Sequence, residues 1–258
     1  MDQDQTLLEL IGLGSIAGVI PVYLGLAVAL LTIKVLDRAW DRFVMGLSTG
    51  ILVYLFFDLM HEAVELTGAR DMVSWAIFLG SLFVSFVGLV AFEQREQRRN
   101  GPTINPLFLP YMIALGMGLH NLGEGLAIGA SYAQGQWGLS SLLVGGFALH
   151  NGTEGFGIMG PVGRTPLRLR DITLLGLLAG GPTVLGTMIS GYGVSPYLSV
   201  AFYTLAAGSL LYVIVSLVAL SYTYTGERRL QTATGLFLGV SLMYLTAMIL
   251  TLLIGART

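Results

Sequence analysis

The chain has 258 residues, of which 54% are hydrophobic and only 11% charged, less than half the roughly 25% charged residues of a typical soluble domain. Its mean hydropathy of +0.77 excludes an ordinary soluble globular protein, and a net charge of −2 offers no basic surface, so no nucleic-acid partner is expected. Cysteine is absent, which excludes disulfides and thiolate-held metals and leaves the redox compartment open.

A membrane-spanning helix needs about 20 mostly apolar residues. Eight stretches supply them, at about residues 7–33, 43–66, 72–92, 107–133, 138–160, 171–191, 196–221 and 231–254. None alternates as a barrel strand would, and in lipid every backbone polar group must be satisfied inside the protein, so helices are expected. The sequence predicts an all-α membrane protein, one transmembrane domain over 1–258. Its start, M-D-Q-D-Q-T-L-L-E-L, lacks a basic segment and a small-residue cleavage site, so the first helix is expected to stay rather than leave as a signal peptide.

In chain order, the first helix carries A-G-V-I-P-V-Y-L-G, with Pro21 and Gly25. The second carries L-S-T-G-I-L-V-Y-L-F-F-D-L over 47–59 and ends in F-F-D-L-M-H-E-A-V-E, which sets Asp58, His61, Glu62 and Glu65 toward one end. The third is followed by E-Q-R-E-Q-R-R-N-G-P, read as a short basic connection. The fourth contains H-N-L-G-E-G-L-A-I-G from His120, and the fifth H-N-G-T-E-G-F-G-I-M from His150. The sixth has A-G-G-P-T-V-L-G, again Pro182 followed four residues later by Gly186. The seventh has L-A-A-G-S-L-L-Y-V-I-V-S-L over 205–217, matching the second at Leu, Gly, Leu, Tyr and the final Leu.

Eleven of the thirteen basic residues, Lys34, Arg38, Arg42, Arg95, Arg98, Arg99, Arg164, Arg168, Arg170, Arg228 and Arg229, fall after odd-numbered helices, leaving Arg70 and Arg257 for the other side. By the positive-inside rule the odd connections face the cytoplasm and both termini lie outside, in a plasma or inner cell membrane. Acidic residues on the outer side, Asp2, Asp4, Glu9, Glu62, Glu65 and Asp71, either attract cations or merely solvate helix ends.

The matches between helices one and six and between two and seven recur in the same order, and five helices separate the partners, so the repeat is inverted. Helices four and five, with one H-N-x-x-E-G element each, are then antiparallel neighbours on the same pseudo-two-fold axis. The expected architecture is an eight-helix 3+2+3 inverted-repeat bundle, whose substrate site lies at the repeat interface.

Residues four apart share a helix face, so His120 stacks over Glu124 and His150 over Glu154. Two imidazoles and two carboxylates directed at one point suit Zn, Fe(II), Mn or Co, with Asn121 and Asn151 as further ligands or as orienters. The bland alternative is interhelical hydrogen-bonded glue. A carboxylate at a helix centre costs about 2.5–3.5 kcal/mol on insertion scales, and doubling that cost at facing positions favours a cation site. The paired glycines Gly46 and Gly50, Gly125 and Gly129, and Gly176 and Gly180 suit close helix packing. Gly123, Gly152 and Thr153 are positions where a softened helix could release carbonyl ligands, although packing is the commoner role of such glycines. Asp58, His61 and Glu62 are candidates for an outer access path, against a reading as a solvated helix end.

These residues resemble the ZIP family of divalent metal transporters: H-N-x-x-E-G-L-A-x-G in helix four, a related H-x-x-x-E-G in helix five, and eight helices in a 3+2+3 repeat. The resemblance implies uptake of a transition metal such as Zn, Fe or Mn, with Co or Cd as further cargoes and no resident cofactor, through His120, Asn121, Glu124, His150, Asn151 and Glu154. It also frames the departures. Gly123 and Thr153 stand where the family commonly has Pro, Gly181 precedes Pro182 where a Glu is usual, Ser216 replaces an acidic ligand, and the long His-rich loop after helix three is absent. One principal metal ion is therefore expected. A homodimer is among the open oligomeric states. The rival activity, an intramembrane metal-dependent hydrolase, would need an open coordination position and a separate acid or base, and His61-Glu62 does not continue into a zincin motif because residue 65 is Glu.

Overall fold

The computed structural model describes residues 3–35, 40–67, 71–100, 105–190, 195–222 and 227–255. Asp2, Arg38, Arg70 and Arg257, and the side chains of Asp4, His150 and Arg228, lie outside the described residues. Among the described residues the regular structure is helical. We number the helices α1 (residues 3–35), α2 (Asp41–Leu66), α3 (Met72–Asn100), α4 (Phe108–Ala133), α5 (Trp137–Val162), α6 (Leu169–Ile189), α7 (Pro196–Tyr222) and α8 (Glu227–Gly255).

Two boundaries differ from expectation for physical reasons. The segment after residue 92, expected to be a connection, continues α3 to Asn100. Hydropathy marks where lipid ends, not where the helix ends, and Glu, Gln and Arg are good helix formers. Residues 3–35 are not one uniform α-helix, because Ser15–Val19 forms a π-helical turn, closed by the Ile20 N–H donating to the Ser15 carbonyl. A π turn absorbs one extra residue, and A-G-V-I-P in α1 has one residue more than A-G-G-P in α6.

Six helical segments are long and apolar enough to cross a membrane: Leu7–Val35, Asp41–Leu66, Met72–Arg99, Leu169–Ile189, Pro196–Ala219 and Arg229–Ile249. Among the described residues α4 does not join them, although 26 residues make it about 39 Å long. His120, Asn121 and Glu124 dilute its apolar character. Both α4 and α5 bury their polar residues: Asn121, Asn151 and Glu154 are fully buried.

The bundle packs at small residues. The most extensive helix contacts are α4 with α6 and α2 with α8, followed by α3 with α7, α1 with α5 and α2 with α7. A Cβ on Gly125 would overlap the Thr183 carbonyl of α6, and one on Gly186 would overlap the Leu122 carbonyl of α4. The α1–α5 crossing is built alike, from Gly25 and Gly155, whose added Cβ atoms would collide with Gly152 and with Gly25 and Leu26. Gly46 and Gly50 meet α8 at Thr232 and Leu236 in the same way, so most of the paired glycines do serve close packing. By contrast α3 is peripheral, with no buried residue across its apolar window. Before its first turn, Asp71 accepts hydrogen bonds from the Ser74 hydroxyl (2.6 Å) and the Val73 amide (3.0 Å). The Ser74 bond leads in holding its carboxyl below the usual aspartate range.

Candidate metal site

The H-N-x-x-E-G elements of α4 and α5 meet where these helices cross. His120 Nε2 lies 3.3 Å from Glu124 Oε1 on the same helix face, and both side chains are buried. Each asparagine reaches across to the carboxylate of the other helix. Asn121 Nδ2 donates to Glu154 Oε2 at 2.9 Å, and Asn151 Nδ2 donates to Glu124 Oε2 at 2.8 Å.

The second amide hydrogen of each asparagine is also used. Asn121 Nδ2 donates to the Ala179 carbonyl of α6 (3.1 Å), and Asn151 Nδ2 to the Ala17 carbonyl of α1 (2.9 Å). Local sequence explains the Ala17 acceptor: Pro21 has no N–H to offer the carbonyl four residues before it, and the π turn opens the ladder at that point. Both acceptors belong to the A-G dipeptide of a Pro-containing segment, at matching places in α1 and α6.

With both amide hydrogens committed, the side-chain orientation of each asparagine is fixed. Asn121 Oδ1, Asn151 Oδ1 and Glu154 Oε1 are buried and have no hydrogen-bond partner among the described residues. A buried polar group without a partner costs about 1–3 kcal/mol, so three oxygen acceptors of this kind on the two Asn–Glu pairs call for a donor or a cation. Oxygen of amide and carboxylate, with imidazole nitrogen beside it, is a donor set for a divalent metal of borderline or hard character.

Among the described residues no three His, Asp or Glu side chains share one coordination sphere. The asparagine amides stand between the carboxylates of the two helices, and the His150 side chain is outside the description. Nor do carbonyls come free at Gly123, Gly152 or Thr153, since α4 and α5 run unbroken through them. The space beside Gly123 is taken by the Tyr203 ring, whose Cε1, Cζ and hydroxyl would stand 2.7–2.9 Å from an added Cβ, and Thr153 Oγ1 donates to Met243 Sδ at 3.0 Å.

A cavity of about 380 Å³ leads to the pair His120 and Glu124; its wall includes Asp58, Glu62, Tyr203, Thr246 and Thr251. Of the three candidate access residues, Asp58 and Glu62 line this cavity. His61 does not; it is exposed and paired with Glu65 at 3.3 Å. Helical phase accounts for the split, because positions 58 and 62 lie four apart on one face while 61 and 65 form the neighbouring one. The sequence reading missed Tyr203, Thr246 and Thr251, which carry no local signal, the carbonyl of Ala17, for which Pro21 was the available signal, and the carbonyl of Ala179, which lies three residues before Pro182 and is not the one that proline frees. On the other side of the site, Met117, Ile51, Leu52, Ile158 and Met159 are fully buried, with the Met117 Cε packed on Gly157.

No family model matches the chain. Over 127 residues, 48% of this chain, the sequence is 29% identical to a protein of Arabidopsis thaliana named "Putative zinc transporter". The match spans 20% of that protein's length. The long apolar helices are consistent with an integral membrane protein.

Proposed function

We propose that this chain carries divalent transition-metal cations, of the Zn, Fe or Mn class, across a membrane and into the cytoplasm, in the manner of the ZIP transporters it resembles. The observation that carries the reading is the reciprocal pair of Asn–Glu bonds between α4 and α5, which leaves three buried oxygens unsatisfied beside a His–Glu pair. His120, Asn121, Glu124, His150, Asn151 and Glu154 are the residues proposed to hold the ion, with Asp58 and Glu62 on its approach and His61 at the rim.

The packing supports a 3+2+3 inverted repeat. If α1, α2, α3 and α4 are exchanged for α6, α7, α8 and α5, the contact of α4 with α6 becomes that of α5 with α1, and α2 with α8 becomes α7 with α3. Contacts of α2 with α7, α4 with α5 and α1 with α6 map onto themselves. Such a repeat suits alternating access, in which one block rocks against another around a fixed site. The cavity is formed by the C-terminal halves of α2, α4 and α8 and the N-terminal halves of α5 and α7, away from the arginine-rich connections. Under the positive-inside rule it opens outward. The apolar layer at Met117, Ile158 and Met159 closes the cytoplasmic side, which makes this an outward-facing state.

Metal flux into proteoliposomes tests the reading. Wild-type protein should carry Zn, Fe or Mn, while His120→Ala and Glu154→Ala should each lower flux by about 100-fold, as expected for lost metal ligands. Normal flux in both variants would refute the assignment. Wild-type protein that carries no metal but cleaves peptide or lipid would favour the hydrolase instead.

A further inference from the structure

A second cavity, of about 570 Å³, lies at the opposite end of the bundle between α3, α4 and α7. Its wall is mostly apolar, from Phe86, Val90 and Phe108, but contains Glu93, Tyr212 and Ser216. Glu93 is held on both oxygens: the Tyr212 hydroxyl donates to Oε2 at 2.7 Å and Gln97 Nε2 donates to Oε1 at 3.2 Å. Two hydrogen bonds leave a carboxylate with unused lone pairs, since it can accept about four.

The repeated segments of α2 and α7 relate this cavity to the outer one. L-S-T-G-I-L-V-Y-L-F-F-D-L and L-A-A-G-S-L-L-Y-V-I-V-S-L set Gly50 against Gly208, Tyr54 against Tyr212, and Asp58 against Ser216. Gly50 packs on Leu236 and Val240 of α8, whereas Gly208 packs on Leu82 and Ser85 of α3. If Leu236 and Leu82 are equivalent, the α8 residue equivalent to Glu93 is Ala247, which lines the outer cavity beside Asp58. At the outer end α2 supplies the carboxylate and α8 an alanine; at the inner end α7 supplies a serine and α3 the carboxylate.

We propose that Glu93 is the inner counterpart of Asp58: a cation-binding carboxylate in the release vestibule, moved onto α3 because position 216 on α7 is serine. The inference rests on the transport reading and the repeat above, and adds to them the route by which the ion leaves. Glu93, aimed by Tyr212, is the carboxylate in a wall whose other polar side chains are Asn105, Tyr212 and Ser216, and an ion leaving through this cavity would meet it there.

The test is metal flux and equilibrium metal binding in the reconstituted full chain, with zinc as probe, for wild type, Glu93→Gln, Glu93→Asp, and Glu93→Gln combined with Ser216→Asp. Glu93→Gln should slow flux about tenfold while zinc binding from the outer side stays unchanged, and Glu93→Asp should keep most of the flux. Returning a carboxylate to the repeat position with Ser216→Asp should restore flux to the Glu93→Gln protein, which a merely structural role for the Glu93–Tyr212 bond would not allow. Full flux in Glu93→Gln, loss of zinc binding along with flux, or failure of Ser216→Asp to rescue would each overturn the proposal. Absence of flux in the wild type would instead count against the transport reading itself.

Discussion

Two histidine–glutamate pairs in this protein have the same local geometry and opposite surroundings. His61 and Glu65 stand one turn apart on α2 with 3.3 Å between nitrogen and oxygen; His120 and Glu124 stand one turn apart on α4 at the same 3.3 Å. The first pair is 67% and 63% exposed, the second 6% and 6%. In water the exposed pair gains about 0–1 kcal/mol and is screened by salt. The buried pair cannot be exchanged for solvent, and Glu124 is additionally fixed by Asn151 from α5. The i,i+4 spacing therefore brings the groups together in both places, and the packing around them determines what the pair can do.

Substitution can break that contrast. The largest effect is expected from Glu124→Gln against Glu65→Gln. Loss of the buried carboxylate should weaken metal binding by about 100-fold, while the exposed change should leave it within about twofold, both read by competition binding of zinc. Equal effects would erase the distinction between the two pairs.

The next largest tests whether helix packing holds the buried pair in place. Gly155→Val forces side-chain atoms into the backbone of Gly25 and Leu26, whereas Gly80 on α3 has nothing within 4 Å of an added Cβ. Overpacking of this kind costs about 1–3 kcal/mol, so Gly155→Val should lower thermal stability and Gly80→Ala should not.

The smallest concerns the exposed pair alone. His61→Ala should change thermal stability by less than about 1 kcal/mol. A larger effect would mean that His61 has a buried partner after all.

Much of the bundle was legible from apolar run length. All eight expected stretches contain helix, and the misjudged end of α3 follows from reading a lipid boundary as a helix boundary. The candidate site residues stood out in the sequence because charged and amide side chains are costly in apolar helices and these came twice in one pattern. Their roles were less legible. Asn121 and Asn151 could be read as ligands or as orienters, and only the crossing of α4 and α5 shows their nitrogens bound to the opposite glutamates. The extra residue of A-G-V-I-P was visible in the sequence, but its accommodation as a π turn depends on α1 fitting against α5 and α6.

By itself the sequence determined which stretches become helical, which side chains are too polar for lipid, and the i,i+4 spacing that stacks His over Glu. Those properties are local, set by transfer free energy and helix pitch. Tertiary structure alone decided which polar groups face one another, that Asp58 and Glu62 share a cavity with His120 while His61 does not, and that Glu93 comes to lie against Tyr212. Those properties depend on helix crossings at glycines far apart in the chain, and no local pattern specifies which backbone each glycine will meet.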